Sequence, residues 1–389
     1  MEIFLCLAVS LLFLFRPSTG QGLVGVSLRA TNHYIEQGKT IELINMMKIP
    51  RVRVIDPTTE FISSLIGSGV IVSLSVEDED TLTLIGTNKT AACDYVRNLI
   101  ASSGRSVNIS SISIGDEIIV KKPKLIKTVL KGVENVRESL EGLGLPGVVV
   151  STSHSYDMID GVFPPSASTF SPKYLSEITT ALKILNRTNT PFQIELYPYE
   201  IYKAGKVAEA NIKYTMFEVD VKDESIYIDP ATGLRYASVL DMMIDSTFSA
   251  LAKAGYGNMG LEITGTGWPN WNPDIDGLTT EENDFMSGEY NQRVINFVNS
   301  RPGTPLRPYE SISVYLNGLV NDDPVEASSE TAITYRSFMG IVTNYFKHRY
   351  NMNWSVVKVP PVIGGGAAGP SATFFLCFFL SIFFFFLLL

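Results

Sequence analysis

The sequence predicts an α/β fold, a single (β/α)8 TIM barrel, on three observations. Eight short runs rich in β-branched residues recur along the chain, amphipathic stretches lie between them, and neither a linker nor an internal repeat divides residues 21–357. Strands that alternate with helices pair in parallel through right-handed crossovers. With eight such units in about 340 residues, closure into one barrel is favoured over an open sheet.

The runs fall at 23–28, 51–55, 70–75, 109–114, 148–151, 192–196, 260–264 and 311–315. Each is four to six residues long, the length of a strand. Helical periodicity occupies 35–47, 90–101, 123–140, 172–185, 236–254 and 290–299. The acidic run Glu77-Asp78-Glu79-Asp80 reads as a solvated loop after the third strand, and Lys121-Lys122-Pro123-Lys124 as an exposed loop leading into a helix.

Both ends read as processing signals. Residues 4–15 are an apolar run of secretory length, with Ser18-Thr19-Gly20 as small residues before Gln21, so 1–20 is expected to be a signal peptide. Residues 374–389 are apolar apart from Ser381 and fall short of the ~20 residues that a membrane-spanning helix needs. A Gly/Pro-rich stretch at 358–373 precedes them, small and neutral from 364 to 371. That order predicts a stalk, an attachment site and the tail signal of a glycosylphosphatidylinositol (GPI) lipid, placing the mature protein on the outer leaflet of the plasma membrane.

Composition narrows the partners. The formal charge of -9 argues against a polyanion such as nucleic acid and suits a neutral polysaccharide. Cys6 and Cys377 lie in the processed ends, which leaves Cys93 alone as a small packed residue and no disulfide. Sequons at Asn88, Asn108, Asn186 and Asn353 are expected glycan sites. His33, His154 and His348 show no metal-ligand spacing, and there is no phosphate-binding loop, so neither metal nor cofactor is expected. The protein is expected to be a monomer.

Function is carried by strand-end motifs. Arg53-Val54-Ile55-Asp56-Pro57, Ile114-Gly115-Asp116-Glu117-Ile118, Phe163-Pro164-Pro165-Ser166-Ala167, Leu196-Tyr197-Pro198-Tyr199 and Ile263-Thr264-Gly265-Thr266-Gly267-Trp268-Pro269 follow in order, ahead of Tyr290-Asn291-Gln292 and Phe338-Met339-Gly340. Together these resemble plant glycoside hydrolase family 17, the β-1,3-glucanases, over nearly the whole mature chain. The resemblance implies a retaining glycosidase with its acid/base at the end of strand four and its nucleophile at the end of strand seven. Glu117 fills the first position, whereas Gly265 stands where the family has glutamate.

Glycine offers nothing to attack an anomeric carbon, and losing a nucleophile raises the barrier by more than ~5 kcal/mol. Hydrolysis is therefore expected to be lost or strongly reduced, with β-1,3-glucan binding retained. The alternative is an active endo-1,3-β-glucosidase with a displaced nucleophile, for which Glu262, Asp322 and Asp323 are the candidates. Glu262 stands an odd number of residues from 265, on the opposite strand face unless a bulge intervenes. Partial recovery in Gly265→Glu is expected if the cleft is otherwise intact. Expected sugar contacts are Asp56, Asp78, Asp116, Glu195, Tyr197, Tyr199 and Trp268, of which Asp116 and Glu195 replace asparagines of the family pattern.

Overall fold

The computed structural model describes residues 23–102, 106–205, 207–224, 226–271, 280–301, 303–322 and 334–354. Both processing segments and Asp323 lie outside the described residues, so the signal and anchor expectations do too. Among the described residues, no helix is long and apolar enough to cross a membrane.

All eight expected strands form: β1 (Val24–Arg29), β2 (Arg51–Ile55), β3 (Ile71–Val76), β4 (Asn108–Asp116), β5 (Val149–Ser155), β6 (Phe192–Glu195), β7 (Leu261–Thr266) and β8 (Ser313–Leu316). They close a parallel barrel in which each strand pairs with its sequence neighbours and β1 pairs with β8. The helices are α1 (Gln37–Met47), α2 (Thr59–Ser64), α3 (Glu79–Thr87), α4 (Lys89–Ser102), α5 (Ile118–Lys121), α6 (Ile126–Gly142), α7 (Leu175–Arg187), α8 (Pro198–Ala204), α9 (Ile212–Thr215), α10 (Val239–Lys253) and α11 (Thr280–Ser300).

The acidic run after β3 is thus half helix. Asp78 accepts from the Thr81 amide at 2.8 Å and caps α3, so a capping signal was hidden in what reads as a charge run. Packing explains the gap between α3 and α6. A Cβ on Gly86 would collide with the Thr128 carbonyl, so glycine is what lets the two helices approach.

Period-two alternation along the strands separates two environments. On β1 to β3, Val24, Val26, Leu28, Val52, Val54, Val72 and Leu74 are buried in the apolar core. Helix α6 meets that core with a stripe of Val129, Leu130, Val133, Val136 and Leu140 at helical spacing. Alternate residues, Ser27, Arg51, Arg53, Ser73 and Ser75, are buried and polar. They are joined across strands by hydrogen bonds such as Ser73 to Ser111 at 2.8 Å and Arg53 to Ser75 at 2.8 Å. The barrel therefore encloses a polar, cross-linked interior inside an apolar sleeve, and that interior leads to the strand ends where the candidate site lies.

Candidate active site

The deeper layer of the barrel holds Arg51, whose guanidinium donates to Glu262 at 2.9 Å, and Gln193, whose amide donates to the other Glu262 oxygen at 2.7 Å. Two residues further along β2, Arg53 is 2% exposed and donates to Ser75, with Asp116 at 3.5 Å, Glu77 at 3.6 Å and Glu195 at 4.0 Å. A bulge shapes β7: Glu262 stands opposite Gln193 and Gly265 opposite Glu195, three residues against two. The extra residue brings 262 and 265 to the same face, separated by one step of about 6.6 Å along the barrel. Glu262 is committed to Arg51 and Gln193 below the mouth, which removes it as a replacement nucleophile.

At the mouth, β4 ends at Asp116 and Glu117 follows with φ 49°. A non-glycine residue in the left-handed region costs about 1 kcal/mol and is found where side-chain placement demands it. Here it leaves Glu117 2% exposed, against Asp116 and Glu195. One carboxylate oxygen from each of these three residues lies within 4.8 Å of one from each of the others.

The chain supplies its own cations to this cluster. Lys121, one turn along at the end of α5, pairs with Glu117 and stands 3.9 Å from Asp116. Arg336, from the turn Tyr335–Phe338 beyond β8, places one nitrogen 3.1 Å from Glu117 Oε2 and 3.1 Å from Glu195 Oε2. Its guanidinium lies 4.2 Å above the Tyr197 ring, and its remaining nitrogens pair with Glu200 on α8, which also accepts from the Tyr335 hydroxyl. Arg336 thus bridges two of the three mouth carboxylates, Glu117 and Glu195.

Electrostatics separates these carboxylates. Burial, then the Asp116 and Glu117 charges, push Glu195 up to about 8. Burial acts the same way on Asp116, but Arg53 and Lys121 outweigh it and hold that group below the usual range. A carboxyl raised in the folded state weakens the fold as pH rises from its unfolded pKa through its folded one. Glu195→Gln, which does not titrate, should therefore gain stability relative to the native protein between pH 5 and pH 8, by up to ~1.4 kcal/mol for each unit of the shift. Guanidinium denaturation at the two pH values measures it; a pH-independent difference would mean that Glu195 is ionised throughout.

Gly265 faces this cluster and has no vacancy to offer. A Cβ there would stand 2.6 Å from the Tyr197 hydroxyl, 2.8 Å from Glu195 Oε1 and 3.1 Å from Glu195 Cδ. The space of the missing side chain is taken by the end of Glu195.

The other expected contacts divide. Asp116, Glu195 and Tyr197 join Glu117, but Tyr197 lies under Arg336. Tyr199 and Trp268 are corrected: both are buried, packed edge to face at 4.8 Å, and present no open face to a sugar ring. Asp56 is held by Arg29 and by the amides of Glu77 and Asp78 at 2.7 and 2.9 Å, and Asp78 caps α3, so these two shape the β2 and β3 ends. Asp322 adds its charge near Arg29. Exposed aromatic surface occurs instead at Trp271, 44% exposed with Phe338 at 4.4 Å, and at Tyr202 beside Trp268. Asn88, Asn108, Asn186 and Asn353 are all exposed. Arg336 escaped the sequence reading because nothing in Thr334-Tyr335-Arg336-Ser337-Phe338 marks it as reaching a carboxylate 219 residues away.

A closed eight-stranded parallel barrel with acidic residues at its strand ends is a build used by glycoside hydrolases. The chain belongs to glycosyl hydrolases family 17, whose model matches residues 24–354. It is 30% identical to glucan endo-1,3-beta-glucosidase 12 of Arabidopsis thaliana over 72% of this chain and 51% of that one. It is also 30% identical to glucan endo-1,3-beta-glucosidase 11 of the same plant, over 73% and 65% respectively. The chain thus spans about half to two-thirds of the length of these curated relatives. Among solved structures it resembles a β-1,3-glucanase and allergen of Cryptomeria japonica pollen, with TM-score 0.75 and 23% identity over 87% of this chain and 100% of that one, a likeness of fold.

Proposed function

We propose that this protein is a cell-surface β-1,3-glucan-binding member of its family, GPI-anchored and monomeric, in which hydrolysis is lost or strongly reduced. The observation that carries the reading is Arg336, which bridges Glu117 and Glu195 beside a glycine at the nucleophile position. Retaining cleavage needs one carboxyl to protonate the leaving oxygen and another to attack the anomeric carbon. Here both are tied to one guanidinium, and the site that a sugar at the cleavage point would enter is filled by protein. Sugar binding then falls to the outer mouth, where Trp271, Phe338 and Tyr202 offer apolar faces for pyranose C–H surfaces.

Purified protein incubated with laminarihexaose is expected to release no products above a Glu117→Gln control while binding the hexaose in calorimetry. Turnover abolished by Glu117→Gln would overturn the loss of hydrolysis, and absence of binding would overturn the glucan reading.

A further inference from the structure

We propose that Glu195 is the partner carboxylate of Glu117 in this barrel, taking the nucleophile's place from β6 instead of β7, and that Arg336 is the group that keeps the pair silent. The inference rests on the reading of the mouth as a β-1,3-glucan site and goes beyond it. Three geometric facts support it. Glu195 pairs in register with Gly265, and its Oε1 lies 2.8 Å from where a Cβ of 265 would begin, so it occupies the volume of the missing side chain. Its carboxylate comes within 4.8 Å of the Glu117 carboxylate, near the ~5–5.5 Å of a retaining pair and short of the ~6.5–9.5 Å of an inverting one. Finally, Arg336 reaches Glu117 and Glu195 equally, at 3.1 Å, and so stands between the two groups that would flank an anomeric carbon. Glu117 Oε1, buried and without a hydrogen-bond partner, is the oxygen left to meet a ligand there.

With Arg336 withdrawn, a Glu195 oxygen attacks the anomeric carbon as the glycosidic C–O bond breaks. The leaving oxygen keeps the bonding pair and takes the Glu117 proton, giving a glycosyl ester on Glu195. Water then attacks the same carbon, the ester C–O bond breaks to release the Glu195 carboxylate, and Glu117 takes the water's proton. Atoms and charge balance as simple hydrolysis. Burial and the neighbouring Asp116 and Glu117 carboxylates draw Glu195 toward its protonated form and Arg336 opposes them, so with Arg336 withdrawn only a small fraction of it is ready to attack at neutral pH.

The test is covalent labelling with 2-deoxy-2-fluorolaminaribiosyl fluoride, whose fluoride leaves without a proton, so that labelling reports the nucleophile alone. Native protein, Arg336→Ala and Arg336→Met are incubated for hours, digested, and read by mass spectrometry. Methionine keeps a stem over Tyr197 and is the variant less liable to unfold. Either variant is expected to carry the sugar on the peptide containing Glu195, at least about tenfold faster than the native chain, and to lose it when Glu195→Gln is added. Sugar on Glu117 or elsewhere, or no label in a variant that melts like the native protein, overturns the assignment. Should both variants fail to fold, slow labelling of the native chain decides the same question by the same peptide. Calorimetry with laminarihexaose separates the two readings: binding without label leaves the glucan reading standing and sinks Glu195, whereas no binding sinks the glucan reading itself.

Discussion

Gly265→Glu alone is expected to restore no hydrolysis of laminarihexaose and to lower the melting temperature. The sequence led to the opposite expectation, partial recovery in an intact cleft, and the geometry reverses it. A Cβ at 265 meets the Tyr197 hydroxyl at 2.6 Å and Glu195 Oε1 at 2.8 Å, before any carboxylate is added. Tyr197 is buried and pinned under Arg336, so the Glu195 side chain must move, and the new carboxylate would then join Asp116, Glu117 and Glu195 in a water-poor space. Like charges at such spacing are held apart only by protonation or by displacement. Glu195→Asn frees the volume, and Arg336→Ala removes one of the two cations on Glu117, leaving Lys121. The triple variant Gly265→Glu, Glu195→Asn, Arg336→Ala is therefore expected to exceed Gly265→Glu by about a hundredfold or more in laminarihexaose turnover, since nucleophile and acid act as a unit and neither helps alone. Equal rates for the single and triple variants would show that Glu195 and Arg336 do not obstruct the site.

The barrel was legible in the sequence because its signal is local. Most strands are rich in β-branched residues, and the turns between strand and helix leave the run visible even where the boundary moves, as in β4, which continues to Asp116. Glu117 and Gly265 were legible for the same reason, each lying in a motif beside its strand. What the sequence hid was relational. The bulge in β7 changes which face Gly265 shares with Glu262, and a bulge shows only in the register with β6. Glu195 was recognisable as a departure from the family's asparagine, but its reach into the space beside Gly265 depends on that same register. Arg336 comes from a turn that no periodicity marks, and its role exists only once β4, β6 and the segment after β8 meet. Tyr199 and Trp268 were misplaced because an aromatic residue at a strand end looks alike in sequence whether its ring packs inward or faces the cleft.

Arg53→Met is expected to give a large loss of stability among single substitutions in this chain, about 3–5 kcal/mol at pH 7. Methionine fits the length of the site, so the loss measures charge and not a cavity. Arg53 lies 2% exposed at the centre of the barrel, donating to Ser75 and surrounded by Asp116, Glu77 and Glu195 at 3.5 to 4.0 Å. Removing it takes the strongest cation from Asp116 and leaves Glu77 to Arg29 and Glu195 to Arg336, in a region with little water to make up the loss. The largely exposed pair of Arg187 and Glu134, though shorter at 2.8 Å, should cost less than ~1 kcal/mol when broken, because solvent replaces the lost partner. The pH dependence distinguishes electrostatics from packing. Asp116 is held below its usual range, with burial opposing and Arg53 the strongest of the groups that lower it, so its contribution is present above its unfolded pKa and is lost as pH falls through its folded one. Arg53→Met forfeits that contribution, and the carboxylates it faced gain protons more readily. The gap between native and variant should accordingly narrow on acidification from pH 7 toward pH 4 in urea denaturation. Adding Glu195→Gln should return part of the loss at pH 7 by removing a carboxyl that Arg53 no longer helps to offset. A gap that stayed constant with pH, unaffected by Glu195→Gln, would mean that Arg53 contributes by filling space and not by holding the acidic mouth together.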